Sequence, residues 1–280
     1  MVESKVKKLK VFAESRILKL SASSIKTYEQ CPRKWYYTYL DKPDIPPKDW
    51  SHLTLGNFVH DVLEYFHNDL LSNPEKGIRG AMSQACKGRE VTSDYKQKLT
   101  PEIRQEVRGM LLAYLDLLES GGMPNVQSNE RNFSVNLDKD LLIRGKIDRV
   151  DLGVNGNPNM YHIVDYKSGK SKHLDDFQLL VYGIPILDEN PEMENYTGSY
   201  LALKENMKWI TSTFTRTDVE KVKAKIRDIA SKIRCDRTWE PKSQFLCKWC
   251  DYNIVCEDAP ANKLRGGLPK PFVGGECDWE

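Results

Sequence analysis

Three residues carry the chemistry that this chain can do. Asp148 closes the segment Ile143-Arg144-Gly145-Lys146-Ile147-Asp148, and seventeen residues later comes Asp165-Tyr166-Lys167. Residues two apart on a strand share one face, so Asp165 and Lys167 point the same way. Asp148, near the end of a neighbouring strand, reaches the same point. Two carboxylates are hard oxygen donors that suit Mg²⁺ or Mn²⁺, ions that keep waters and accept phosphate oxygens. Such an ion lowers the pKa of a bound water and offsets charge at phosphorus. Lys167 can steady the phosphate or help to deprotonate the water. The chemistry expected is phosphodiester hydrolysis. His60, in Gly56-Asn57-Phe58-Val59-His60, can add a nitrogen ligand, and Glu130 a further acidic contact. Taken singly, each has a blander reading: an Asp-x-Lys pair on a strand edge, a packed histidine on an apolar helix face, and Asp148-Arg149 as an ordinary surface pair.

The elements that must position these residues follow from periodicity. Apolar residues Phe58, Val59, Val62, Leu63 and Phe66 recur at helical spacing over 55–71 and place His60 and His67 two turns apart on one helix. A second amphipathic helix spans 101–119, with Pro101 in its first turn and Gly121-Gly122 after it. Strands are expected over 130–137, 141–152 and 160–167, joined by a turn at 153–157 that contains Asn155-Gly156. Residues 174–187 read as helix, 198–204 and 209–214 as strands, and 217–234 as a charged amphipathic helix. Residues 16–20 suggest a short strand followed by a helix capped by Ser21 or Ser23. Residues 33–40, rich in aromatics, continue the helical pattern until Pro43, Pro46 and Pro47. Residues 72–100 are polar and yield no assignment.

Composition bounds the rest. A chain of 280 residues with 40% hydrophobic and 29% charged residues can bury a sizeable core. Its 42 basic and 40 acidic residues give a formal charge of +2, so any nucleic-acid contact must come from local basic patches. No apolar run is long enough to span a bilayer, and no signal peptide is read at the N-terminus. The sequons at Asn132 and Asn195 are therefore expected to be chance matches. There is no Gly-x4-Gly-Lys-Ser/Thr phosphate loop, and so no ATP motor of this chain's own. No internal repeat and no linker interrupt it. The expected organisation is a basic arm at 1–20, one domain over 21–260 and an extended tail at 261–280.

Seven cysteines suggest thiols or metal ligands rather than a disulfide framework. Cys247, Cys250 and Cys256 are clustered, and Cys31, followed by Pro32, is far upstream. Four thiolates at this spacing read first as a zinc site, although an iron–sulfur cluster also takes four. Cys86, Cys235 and Cys277 fit no part of the set, with Cys235 the one rival for the fourth place. Next to Cys31, Arg33, Lys34, Trp35 and Tyr36 interleave charge with rings. That pattern suits single-stranded DNA, where rings stack on bases and cations meet phosphates; the same rings are also candidates for the core.

The order His60, then Gly145-Lys146-Ile147-Asp148, then Asp165-Tyr166-Lys167, then Gln178-x3-Tyr182 resembles the RecB-like branch of the PD-(D/E)XK nucleases over roughly residues 21–256. The resemblance implies an α/β fold, a mixed central sheet flanked by helices, with a helical insertion and a C-terminal iron–sulfur module. It implies metal-dependent DNA cleavage, with His60, Asp148 and Asp165 as metal ligands and Lys167 as the catalytic lysine. Gln178 and Tyr182 would shape the site and contact DNA. Val164 stands where the superfamily name has proline. The segment from Ser21 to Lys34 and the cysteine triplet are similar to the iron–sulfur nucleases of this branch, the AddB-type helicase–nucleases and the CRISPR adaptation nucleases. This implies a 4Fe–4S cluster on Cys31, Cys247, Cys250 and Cys256, in place of zinc. The expected protein is a cytoplasmic DNA exonuclease of a bacterial, archaeal or phage-infected cell. It would prefer single strands or free ends and act in recombination, repair or phage DNA metabolism, with recombination or CRISPR proteins as partners. Two alternatives are a spacer-processing nuclease and an end-binding adaptor that cuts nothing itself.

Overall fold

A computed structural model describes residues 17–46, 51–92, 95–154, 156–172 and 174–259. The basic arm before residue 17, Asn155, Cys277 and the tail from residue 260 lie outside the described residues. Helices flank a mixed central sheet in an α/β arrangement. Strands β1 (Leu18–Leu20), β3 (Leu141–Val154), β4 (Asn157–Lys167), β5 (Asn195–Ala202) and β6 (Lys208–Thr215) lie in the order β1-β3-β4-β5-β6, and β2 (Val126–Asp138) pairs with β3 off that path. The β1–β3 and β4–β5 pairs are parallel; β3–β4 and β5–β6 are antiparallel. The described residues cluster into two compact units, one drawn from 1–48, 134–144 and 223–280, the other from 49–133 and 145–222.

In the first unit β1 pairs with the start of β3 through Leu18↔Leu141 and Leu20↔Ile143. Helix α1 (Ala22–Gln30) opens with a capping box: the Ser24 N–H donates to Ser21 Oγ at 3.2 Å and the Ser21 N–H to Ser24 Oγ at 2.8 Å. This satisfies two helix-end donors reciprocally. The helix stops at Cys31 because Pro32 disfavours helical backbone in the residue before it, and Cys31 is extended at φ −163°. Pro32 then opens α2 (Pro32–Tyr36) at the position where a missing N–H costs nothing. A π-helical turn follows over Tyr37–Asp41. Trp35 stacks on Trp239, with ring centroids 5.3 Å apart and planes 11° apart. Arg33 donates from Nε to the Trp239 carbonyl at 2.9 Å and forms a buried ion pair with Glu257. Removing one partner of such a pair would strand the other, at a cost of about 3–5 kcal/mol.

The second unit holds α3 (Ser51–Ser72), α4 (Ile78–Glu90) and α5 (Pro101–Gly121), together with β4, β5 and β6. Its core joins Phe58, Val62 and Phe66 of α3, Met82 of α4, Ile103, Met110 and Tyr114 of α5, and Val164 and Tyr166 of β4. Helix α4 falls in the polar stretch that periodicity leaves unassigned. Its inward face is Ala81, Met82 and Ala85, too small an apolar stripe to register against Gly80, Ser83 and Gly88. Strands β3 and β4 stay paired out to Val154↔Asn157, with an irregularity at Gly153. The connection is therefore shorter than the turn over 153–157 that the sequence suggested.

Helix α6 (Phe177–Glu189) connects the parallel strands β4 and β5, and nine of its thirteen residues are buried. Gly183 permits its close seating: a Cβ there would clash with the Tyr196 hydroxyl on β5. Helix α7 (Arg216–Cys235) follows β6. Among the described residues no helix is long and apolar enough to cross a membrane.

Candidate active site

Four elements of the second unit bring polar side chains to one place. Asp148 comes from β3, Asp165 and Lys167 from β4, His60 from α3 and Glu130 from β2. Alternation along β4 sends Asp165 and Lys167 to one face and Tyr166 to the other. The β3–β4 register, with Arg149 opposite Val164, sets Asp148 beside Asp165. Gly56 lies one turn before His60, and a Cβ there would meet Ser168 Oγ at 2.9 Å, just beyond the end of β4. The small residue lets α3 approach the strand end closely.

One oxygen of Glu130, one of Asp148 and a ring nitrogen of His60 all lie within 4.8 Å of one another. His60 Nδ1 is 3.4 Å from Asp148 Oδ2 and 3.9 Å from Glu130 Oε1. Burial alone would depress the His60 pKa, but Asp148, Glu130 and Asp165 outweigh it and raise it to about 10. Glu130 is held at φ +46°, in the left-handed region that side chains with a Cβ seldom adopt. Strain of this kind persists where surrounding structure over-determines it. Two carboxylates and one imidazole within that span fit a divalent ion with mixed oxygen and nitrogen donors.

Asp165 stands next to this set, and its oxygens also meet Lys167 and Gln178. Oδ2 is 2.5 Å from Lys167 Nζ, and Oδ1 accepts from Gln178 Nε2 at 2.8 Å. Gln178 also accepts from Lys167 Nζ at 3.1 Å and donates to the Tyr182 hydroxyl at 2.6 Å. One turn of α6 thus orients both groups of the Asp-x-Lys pair. Burial raises the Asp165 pKa to about 6, and the Asp148 charge adds to the rise while Lys167 opposes it. Burial, with Asp165 and Asp148, also drives the Tyr182 phenol upward. The compact donor set is thus His60, Glu130 and Asp148, with Asp165 alongside, where the sequence suggested His60, Asp148 and Asp165 with Glu130 as a further acidic contact.

Several groups escaped the sequence reading. Lys146 pairs with Glu130; it sits two before Asp148 on β3, so its shared face was open to the same period-two reasoning. The Lys167 amine lies 5.1 Å from the Tyr200 ring centroid. Arg149, read as half of a surface pair, is instead buried, 3.0 Å from Asp151. It donates to the hydroxyls of Tyr114 at 2.6 Å and Tyr166 at 2.9 Å.

In the first unit, Cys31, Cys247, Cys250 and Cys256 all line one cavity of about 230 Å³, with Lys34 and Tyr37. Cys235 is exposed and does not line it. The Gln244 N–H points at Cys247 Sγ from 3.3 Å. No three of the four sulfurs lie within 4.8 Å of one another. The helix beside Cys31 corrects an expectation. Arg33, Trp35 and Tyr36 are each only 2% exposed, packed around Trp239 and Glu257. Their rings and guanidinium are core, with no face left for a nucleic acid, and Lys34 alone of the four is partly open.

One of the subunits of an ATP-dependent helicase/deoxyribonuclease from Clostridium botulinum is 26% identical over 251 residues, covering 77% of this chain and 22% of that protein. The protein of the same name from Streptococcus agalactiae is 26% identical over 199 residues, covering 69% of this chain and 17% of its own. The chain therefore spans about a fifth of the length of these relatives. A crystal structure from Eubacterium rectale, of a protein provisionally designated an exonuclease, superposes with a TM-score of 0.51 at 17% identity over 93% of this chain and 92% of that one. At that identity the likeness is one of fold. The family model for the PD-(D/E)XK nuclease superfamily matches residues 19–257, and the chain belongs to that superfamily.

Proposed function

We propose that this protein is a metal-dependent DNA exonuclease acting on single strands or free ends. The observation that carries the reading is the meeting of Asp148, Asp165, Lys167 and His60 from three elements. His60, Asp148, Asp165 and Glu130 would hold Mg²⁺ or Mn²⁺. When bound, the ion would supply a more acidic water and offset charge on the phosphate. Asp165 orients Lys167, and Gln178 fixes both. Lys167 Nζ is thereby held beside the carboxylates, where it can meet a phosphate oxygen or take a proton from the attacking water. Tyr182, buried with its hydroxyl against Gln178, walls the site.

A 4Fe–4S cluster on Cys31, Cys247, Cys250 and Cys256 belongs to the same proposal. Its support is the convergence of all four thiols on one cavity. Its role would be structural, tying residue 31 to residues 247–256. Such long closures restrict the unfolded chain most.

The relatives named as helicase/deoxyribonuclease subunits suggest a place beside a DNA-unwinding partner in recombination or repair. The test is to incubate end-labelled single-stranded and blunt duplex DNA with the protein in Mn²⁺, in Mg²⁺ and in chelator. Metal-dependent shortening from an end, faster on single strands, is expected. No cleavage in either metal, with end binding retained, would leave the adaptor reading in its place. Internal cuts on a closed circle would remove the exonuclease assignment.

A further inference from the structure

Tyr166 lies between the two residues of the Asp-x-Lys pair yet faces the opposite side of the sheet. Its backbone N–H donates to Asp148 Oδ2 at 2.8 Å. Its ring meets the ring of His60 edge-on, with centroids 6.0 Å apart and planes at 83°. One residue therefore touches two of the three side chains in the compact donor set. Its hydroxyl is fixed in turn: Arg149 donates to it at 2.9 Å, Tyr114 meets it at 3.1 Å and His67 Nε2 lies 3.4 Å away. Arg149 is anchored by Asp151 at 3.0 Å, and His67 bonds Tyr114 at 2.7 Å. Tyr166, Arg149, Tyr114, His67 and Asp151 are all more than nine-tenths buried.

We infer that Tyr166, pinned at its hydroxyl by Arg149, Tyr114 and His67, is a positioning residue that sets Asp148 and His60 at the spacing a divalent ion requires. The physical reason is the cost of a buried charged network. A guanidinium taken out of water must be met by partners on all sides, and a half-satisfied network is more costly than none. The arrangement is thus locked in one geometry, which an apolar cluster of the same volume would not impose. His60 and His67 sit on the same face of α3, two turns apart. The bond from His67 to Tyr114 therefore fixes the rotation of the helix that presents His60. A group that orients a ligand from behind is worth about 10- to 100-fold in metal affinity.

The inference rests on the proposed metal site, and the test separates the two. Mn²⁺ affinity is measured by calorimetry on the full chain, together with the melting temperature. The variants are Asp148→Asn, Tyr166→Phe, Tyr114→Phe and Val219→Ala, the last a core truncation outside the network. Tyr166→Phe keeps the ring and the amide and removes only the pinned hydroxyl. It is expected to weaken Mn²⁺ binding about tenfold, with Tyr114→Phe weakening it less. Val219→Ala should lower the melting temperature and leave the affinity alone. If the native protein binds no Mn²⁺, or Asp148→Asn does not reduce binding, the metal site itself is wrong. If Asp148→Asn abolishes binding while Tyr166→Phe and Tyr114→Phe match the native affinity within a factor of about two, the site stands and the positioning role is overturned. Should Tyr166→Phe fail to fold, Tyr114→Phe decides by the same criterion. Equal weakening by Val219→Ala would reduce the effect to general stability and also overturn the inference.

Discussion

Lys167 Nζ lies 2.5 Å from Asp165 Oδ2, and Gln178 bonds both residues from one turn of α6. A carboxylate that is 2% exposed and an amine that is partly open are thereby held as a unit, buried at the acid and accessible at the base.

Removing either member should therefore remove turnover and spare the fold. Asp165→Asn and Lys167→Ala are each expected to lower the cleavage rate at least about a hundredfold, the usual scale for losing one positioned charge. Circular dichroism and DNA affinity in Ca²⁺ should stay close to those of the native protein. Undiminished degradation in Mn²⁺ by either variant would defeat the assignment.

The pH dependence follows from Asp165 and His60. The folded pKa of Asp165 is raised to about 6 by burial and Asp148, above the ordinary carboxylate value near ~4. A raised pKa means that the fold favours the neutral acid. That stabilisation is complete below the ordinary value and lost as pH rises through about 6. In chelator, Asp165→Asn should therefore raise the melting temperature at pH 8 and change it little at pH 4. Metal binding has the opposite trend, because ligands must shed protons to bind. With His60 raised to about 10, Mn²⁺ uptake at pH 8 should release close to one proton. Calorimetry in buffers of different ionisation enthalpy measures this directly; no proton release would remove His60 from the ligand set.

Glu130 separates strain from ligation. At φ +46° any side chain with a Cβ costs about 1–2 kcal/mol more than glycine. Glu130→Gly should thus be more stable than Glu130→Ala by about 1 kcal/mol in chemical denaturation. Both should bind Mn²⁺ more weakly than the native protein. Equal stability of the two variants would mean that the backbone relaxes and no strain is held there.

Protein purified without air should be brown from thiolate-to-iron charge transfer, with about four irons per chain. Serine at Cys31, Cys247, Cys250 or Cys256 should bleach it and lower the melting temperature, whereas Cys235→Ser should do neither. Stoichiometric zinc without iron in anaerobic protein would assign the cavity to zinc.

Much of this was open to the sequence because strands and helices impose fixed periods. Period two placed Asp165 and Lys167 on one face of β4, and the helical period put His60 and His67 on one face of α3. The clustered cysteines and distant Cys31 suggested a common site from their residue type, which is seldom used so densely without a ligand. A period says which residues share a face, but not what covers it. Trp35 and Tyr36 carried the same interleaved pattern whether they met DNA or core. The decision came from Trp239, far away along the chain, which stacks on Trp35 and is itself buried. Arg149 looked like a surface charge because charge is usually solvated. Only the convergence of Asp151, Tyr114 and Tyr166 made its burial tolerable. The left-handed backbone at Glu130 and its pairing with Lys146 likewise depend on groups brought together across strands. Local periodicity is encoded within a few residues and can be read in one pass. Burial and charge compensation are sums over distant partners, and these exist only once the chain has folded.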